Sequence, residues 1–333
     1  MHVTVVLPTY KTRRTIFKLL NSLKRQSYKN FSIMLIYKEW SGYKDIFNEI
    51  MEYKDLDVDF VKQDDGFFEE AMNTAYRKAD GNIVLHIDDD AYVSSNWIQD
   101  HVDFHSKHTD IGIATGIVDE SSSPDGKPLP KLTMMLNNQK WRMNKHTLLD
   151  RPIDKKFKGY GMYIGKSGML VDTGKKYDMI KTFKQYGVNM SWKKDALHDF
   201  KLLGYTKNGV RNEAAAALEV MRRGFDAVWF NGGAVYHPAQ ESYLSRGASI
   251  SSVPIELTAE SVLFAYYTSY FYEVDTSILR TRAFLDNIAT SAITLNKNHG
   301  YKIGYKIAKC AIDEHWQPSR VRTALINALR LKM

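Results

Sequence analysis

The chain has 333 residues, 44% hydrophobic and 25% charged, enough for one large or two modest globular domains. A net charge of +8 favours anionic partners, whether phosphates, an acidic membrane surface or nucleic acid. The single cysteine, Cys310, excludes an internal disulfide and fits a reducing compartment, and no apolar run reaches the roughly 18 residues of a membrane span.

"VTVVLPTY" (3–10) is a continuous apolar and β-branched run, the pattern of a strand buried on both faces. Over 12–28, Ile16, Leu19, Leu20 and Leu23 fall at helical spacing. "FSIMLIY" (31–37) is the next strand, 43–53 a helix, and "VDFVKQ" (58–63) a short strand. Residues 66–81 form a helix closed by Gly81, and "NIVLHI" (82–87) is again a strand. This alternation predicts a mostly parallel sheet flanked by helices, an α/β fold whose ligands bind at the carboxyl ends of the strands. "DESSSPDGKPLPK" (119–131) is a loop by its Ser, Pro and Gly content. Residues 159–172 and 187–197 are strand-like. A helix over 212–224 takes Asn212 as its cap and Gly224 as its stop. Two short strands follow, and from about 255 the pattern is wholly helical.

Asp88, Asp89 and Asp90 stand directly after the strand "NIVLHI". Adjacent carboxylates repel unless a cation lies between them, and hard divalent cations bind through such oxygens together with substrate phosphate. The plainer alternatives are a solvated acidic turn or Asp90 capping a helix over 95–106. Glu213 opens "NEAAAALEV", where a first-turn acid is stabilised by the helix and a general base is equally well placed. His237 in "AVYHP" is a structural histidine or a third ligand to the same cation.

"VVLPTYKTRRTIFKLLNSLKRQSYKNFSIMLI" resembles the opening of the inverting glycosyltransferases of family 2, which have the GT-A fold. "EEAMNTAYRKADGNIVLHIDDD" is similar to the helix, glycine, strand and DxD motif that come next in that family. "GVNMSWKKDAL" and "NGVRNEAAAALEVMRRGFDAVWFNGGAVYHP" resemble its acceptor-side strand, its Glu-Asp helix and its closing strand with histidine. The resemblance implies a GT-A (Rossmann-like) domain over 1–240, with a nucleotide-sugar half (1–118) and an acceptor half (119–240), followed by a helical region over 241–333. It implies that Pro8, Thr9 and Tyr10 line the nucleotide base, that Asn73 lies near the nucleoside, that Asp88 faces the ribose side of the donor, and that Asp89 assists Asp90 there. Asp90, with Asp88 and His237, would hold Mn²⁺ or Mg²⁺ against the diphosphate. Trp192 and Asn189 would lie on the acceptor side, and Glu213 stands at the second position of the Glu-Asp pair, where the family places its base. The implied reaction is metal-dependent inverting transfer of a hexosyl group from a UDP- or GDP-linked sugar to a hydroxyl of a glycan or lipid-linked acceptor.

The chain departs from that pattern at three points. The family's Asp-Asp-Gly-Ser after the second strand is replaced by "YKEWSG" (37–42), where Glu39 can substitute after a one-residue shift. Met72 replaces an arginine, and the base is a glutamate, one methylene longer than aspartate. The altered base-reading segment motivates an alternative, a non-catalytic GT-A-like protein that binds a sugar nucleotide or glycan.

The aromatic segment 260–285 is either helical packing or an apolar acceptor groove. Residues 297–333 carry Lys297, Lys302, Lys306, Lys309, Arg320, Arg322, Arg330 and Lys332 against Asp313 and Glu314. Such a basic amphipathic segment is a solvated helix or a peripheral membrane contact. No nucleic-acid-binding pattern is present. With an N-terminus that lacks the regions of a signal peptide, the expected location is the cytoplasm or the cytoplasmic face of a membrane.

Overall fold

The computed structural model describes residues 1–10, 14–119, 148–175, 177–237, 255–294 and 299–330. The loop expected over 119–131 lies outside these residues from 120 onward, as do Lys297, Lys332 and the side chain of Arg330.

The chain begins with β1 (Val3–Thr9), α1 (Thr15–Lys24), β2 (Phe31–Tyr37), α2 (Tyr43–Met51), β3 (Val58–Lys62), α3 (Phe68–Lys78) and β4 (Ile83–His86). Val3, Val5, Val6 and Leu7 are all fully buried, so β1 needs the unbroken apolar run its sequence shows. Ile16, Leu19, Leu20 and Leu23 form the buried ridge of α1, each contributing about 1.5–3 kcal/mol of hydrophobic stabilisation. That helix ends sooner than its periodicity predicts, because Gln26 leaves it to hold the next segments. The Gln26 amide donates to Ser22 O and Ser94 O, and its oxygen accepts from Ile98 N. Gly81 does not close α3, which ends at Lys78. It lets the chain pass β1 closely instead: a Cβ there would lie 2.4 Å from Thr4 N.

Next come β5 (Tyr92–Val93), α4 (Trp97–Lys107), β6 (Ile111–Thr115), β7 (Val118–Asp119), β8 (Met162–Ile164), β9 (Leu170–Asp172), β10 (Met179–Lys181), β11 (Met190–Lys193), α5 (Asn212–Arg222), β12 (Asp226–Phe230) and β13 (Val235–Tyr236). The main sheet has eight strands in the order β10-β12-β6-β11-β4-β1-β2-β3. β11 runs antiparallel to β4 and β6, and β10 antiparallel to β12; the other pairs are parallel. A second sheet, β5-β13-β7, stands over the carboxyl end of β4. The strand-like stretch 159–172 is the hairpin β8–β9.

The C-terminal helices are α6 (Ile255–Ser269), α7 (Thr276–Thr294), α8 (Gly300–Asp313) and α9 (Pro318–Arg330). Two glycines one turn apart bring α8 against α6: a Cβ on Gly304 would lie 2.3 Å from Ala259 O, and one on Gly300 would strike Thr258. One apolar core runs from Tyr205 and the alanines of α5 into Phe264, Tyr266, Tyr267, Ile303 and Ile307. Those three aromatics of 260–285 are therefore helical packing, whereas Tyr270 and Phe284 are exposed. Lys309 pairs with Asp313 and Arg320 with Glu314. Among the described residues, no helix is long and apolar enough to cross a membrane.

Candidate functional site

The site assembles where β1, β4 and β13 end. Ile87 N donates to Val6 O at 3.2 Å, which keeps the aspartate turn beside β1. Thr9 Oγ1 then donates to Asp89 Oδ2 at 2.5 Å, so the middle carboxylate is engaged by the end of β1. Antiparallel pairing of Val235 with Val93 and Tyr236 with Tyr92 brings the end of β13 over that turn. The rings of Tyr92 and Tyr236 stack at 5.1 Å. His237 N donates to Asp119 O at 3.0 Å, and His237 Nε2 lies 3.0 Å from Asp90 Oδ1. One ligand atom from each of Asp88, Asp90 and His237 lies within 4.8 Å of the others. With side chains 11% and 13% exposed, Asp90 and His237 are largely withdrawn from water, while Asp88 keeps 32%. Two carboxylates and an imidazole form a donor set that fits Mn²⁺ and accepts Mg²⁺, with coordination positions left for phosphate oxygens and water.

Asn189 holds the small sheet in place. Its side chain donates to Ile117 O (2.8 Å) and Gly233 O (2.7 Å), and its oxygen accepts from Trp97 Nε1 (2.9 Å) and pairs with His101 Nε2 (3.0 Å). Asn189 is fully buried and Trp192 is 1% exposed, packed edge-on against Tyr76. Both were expected on the acceptor side, and neither side chain reaches the surface. Asn73, expected near the nucleoside, is half-buried and clasps Leu202: its amide accepts from Leu202 N (2.7 Å) and donates to Leu202 O (3.2 Å). Glu39 is exposed and bound to Lys62 and Tyr43, which hold its carboxyl below its usual pKa. Pro8 pairs in register with Ile36 at the end of β1, and Tyr10 beyond it is 58% exposed.

Glu213 lies in the first turn of α5, where the helix dipole favours its charge. The cap before it is Arg211, in the left-handed region at φ 75°, and not Asn212 as expected. Asn212 is the first helical residue and is buried. The Glu213 carboxylate lies against Gly187: a Cβ there would be 2.5 Å from Glu213 Oε1 and 3.5 Å from His86 Cε1. His86 Nε2 is in turn 3.8 Å from Asp88 Oδ1. Burial lowers the His86 pKa, so the ring is neutral. Asp88, His86, Gly187 and Glu213 are thus consecutive neighbours, linking the candidate cation cluster to the carboxylate on α5.

Sequence reasoning missed His86, Gly187 and two buried acids, Glu69 and Glu260. Gly187 had a legible signal: it opens the strand-like stretch 187–197, and a glycine there marks close approach of another group, although the structure makes it the first residue of a short turn ahead of β11.

Residues 4–166 match the family model described as Glycosyl transferase family 2. This segment belongs to glycosyl transferase family 2. The glycosyltransferase GlyA of Streptococcus pneumoniae is 27% identical over 29% of the chain, and the poly(ribitol-phosphate) β-N-acetylglucosaminyltransferase TarS of Staphylococcus aureus is 25% identical over 32%. The matches span only 14% and 19% of those relatives' lengths. Among solved structures, GalNAc-T7 with UDP, GalNAc and Mn²⁺ superposes with a TM-score of 0.56 at 14% identity, covering 89% of this chain and 59% of that one. A mannosyltransferase from Pyrobaculum calidifontis in complex with GDP-Man and Mn²⁺ gives 0.53 at 15% identity, covering 99% and 80%. At such identity these likenesses establish the GT-A fold, with the family 2 segment forming its first half.

Proposed function

We infer that the chain is a metal-dependent inverting glycosyltransferase acting on a nucleoside-diphosphate sugar, UDP- or GDP-linked, with a glycan or lipid-linked hydroxyl as acceptor. The observation that carries this reading is the convergence of Asp88, Asp90 and His237 at the carboxyl end of β4, in a family 2 domain. Asp88, Asp90 and His237 would hold Mn²⁺ or Mg²⁺, which when bound offsets the negative charge developing on the departing diphosphate. Thr9 fixes Asp89, and with it the turn, against β1. Glu213 accepts the proton of the acceptor hydroxyl as its oxygen attacks the anomeric carbon. A single displacement from the face opposite the diphosphate inverts the anomeric configuration. Two of the structural neighbours hold GDP-Man or UDP together with Mn²⁺, which supports this donor class.

The test is a thermal-shift panel of UDP, GDP, CDP, dTDP and ADP and their common sugar conjugates, each with Mn²⁺, Mg²⁺ or EDTA. A ligand that binds only the folded chain raises the melting temperature by mass action. A shift with one nucleotide that vanishes in EDTA is expected, followed by NMR of the product anomer showing inversion. No shift with any nucleotide in a folded sample, or a retained anomer, sinks the reading.

A further inference from the structure

The segment that leads into Glu213 is gripped from outside its own helix. Asn73 clasps Leu202. Glu69 Oε1 accepts the N–H of Thr206 at 2.9 Å and the Thr206 hydroxyl. Glu260, on α6, accepts from the backbone N–H of Lys207 (3.1 Å), Asn208 (3.0 Å) and Val210 (3.4 Å), and from Asn208 Nδ2 (2.9 Å). Both acids are fully buried. Burial raises the Glu260 pKa, and these donors are all amides. A buried carboxylate of this kind is tolerated only while its donors wrap it, so the shape of the turn and the place of Glu260 are fixed together.

Only Arg211 and Asn212 separate the wrapped residues from Glu213. Gly209 at φ 72° and Arg211 at φ 75° set the angle at which the chain enters α5. A non-glycine residue in the left-handed region persists where its surroundings over-determine it. The turn is therefore a rigid strut with Glu260 at one end and the α5 carboxylate at the other.

We propose that Glu260 is a positioning residue for Glu213: by holding residues 207–210 it fixes the Glu213 carboxylate against Gly187, and so makes helix α6 a working part of the acceptor side. This rests on the reading of Glu213 as the base.

The experiment uses the full chain and hydrolysis of UDP-N-acetylglucosamine and GDP-mannose in Mn²⁺, which needs no acceptor. Glu260→Gln turns one acceptor oxygen into a donor facing donors. The expected result is a kcat lower by about 10–100-fold with KM within about threefold, the split for loss of geometry without loss of binding. Hydrogen exchange is expected to rise at 206–213 and stay unchanged across α1. Leu20→Ala, in the separate core beneath α1, supplies a stability loss remote from the turn and keeps the wild-type kcat. Should Glu260→Gln fail to fold, Asn208→Ala removes a single donor and is expected to show the same split more weakly. Wild-type kcat in Glu260→Gln or Asn208→Ala, or a loss that Leu20→Ala reproduces, overturns the positioning role. Full turnover in Glu213→Gln, or hydrolysis of neither donor by the wild-type chain, overturns the base itself and the proposal with it.

Discussion

His237 Nε2 lies 3.0 Å from Asp90 Oδ1, although 147 positions separate the two residues. The pair is made by the two-residue ladder between β5 and β13, and the imidazole is the only nitrogen in the three-residue cluster. His237→Ala leaves two neighbouring carboxylates with no third ligand. The affinity for Mn²⁺ with nucleotide should fall by at least roughly 10–100-fold, since losing even an outer partner costs that much. Calorimetric titration measures it, and the melting temperature in EDTA should hardly change.

Gly187→Ala is the sharpest test of where the α5 carboxylate must be. The new methyl would lie 2.5 Å from Glu213 Oε1, the tip of a side chain that can swing away. The chain should fold and bind nucleotide normally, while transfer falls by about 100-fold for a displacement on the order of 1 Å. Unchanged turnover would show that Glu213 does not act from this place.

Arg322 on α9 donates to Glu69 Oε2 and Glu70 Oε1, both at 2.8 Å. Glu69 is fully buried on α3 and also carries Thr206. Arg322→Ala strands that carboxylate, and the unfolding free energy should drop by about 3–5 kcal/mol. Urea unfolding at alkaline pH, above the value of about 7 to which burial pushes Glu69, checks this with the carboxylate charged. Arg322→Lys should recover only part, because one ammonium cannot serve two acids in the fork geometry of a guanidinium.

Acid should weaken the fold through the histidines of α4. Burial pushes His101 down to about 4 and His105 down to about 3, and both rings meet Ser191 Oγ. Their folded values lie below the usual value of about 6.5, so the unfolded chain binds more protons as pH falls through that range. The stability from keeping them neutral is complete above about 6.5 and is lost progressively toward pH 4 and 3. Between pH 6.5 and 4, the unfolding free energy of the wild type should fall faster than that of His105→Gln; parallel curves would dismiss this cause. Glu69, pushed by burial up to about 7, works in the opposite sense, since its stabilising effect is lost as pH rises from about 4.5 to 7.

β1, β2 and β4 were legible because they are largely buried on both faces and so spelled as unbroken apolar runs. β2 spans the predicted residues 31–37, and β4 ends just short of the three aspartates. Of the small sheet only β13 was legible, inside "GGAVYHP"; β5 and β7 are two-residue strands, too short to show any alternation. Buried acids were missed for a related reason. Glu69 in the first turn of α3 has the spelling of an ordinary solvent-facing acid, and it is the arrival of Thr206 and Arg322 from far along the chain that explains its burial. Asn73, Asn189 and Trp192 were expected near substrate from the resemblance of their segments to the family. Their neighbours in space, Leu202, Gly233 and Tyr76, are remote in sequence, and nothing local announces them.

The late arrival of His237 has a consequence during synthesis. A ribosome that has extruded the whole donor half has released Asp88 and Asp90 with no imidazole to join them. On the proposed assignment, that nascent chain holds a divalent ion more weakly than the finished protein, and the apolar runs of β1, β2 and β4 organise it. Ion capture then reports that β13 has docked, so manganese uptake by stalled chains of increasing length should switch on in one step once residue 237 clears the exit tunnel.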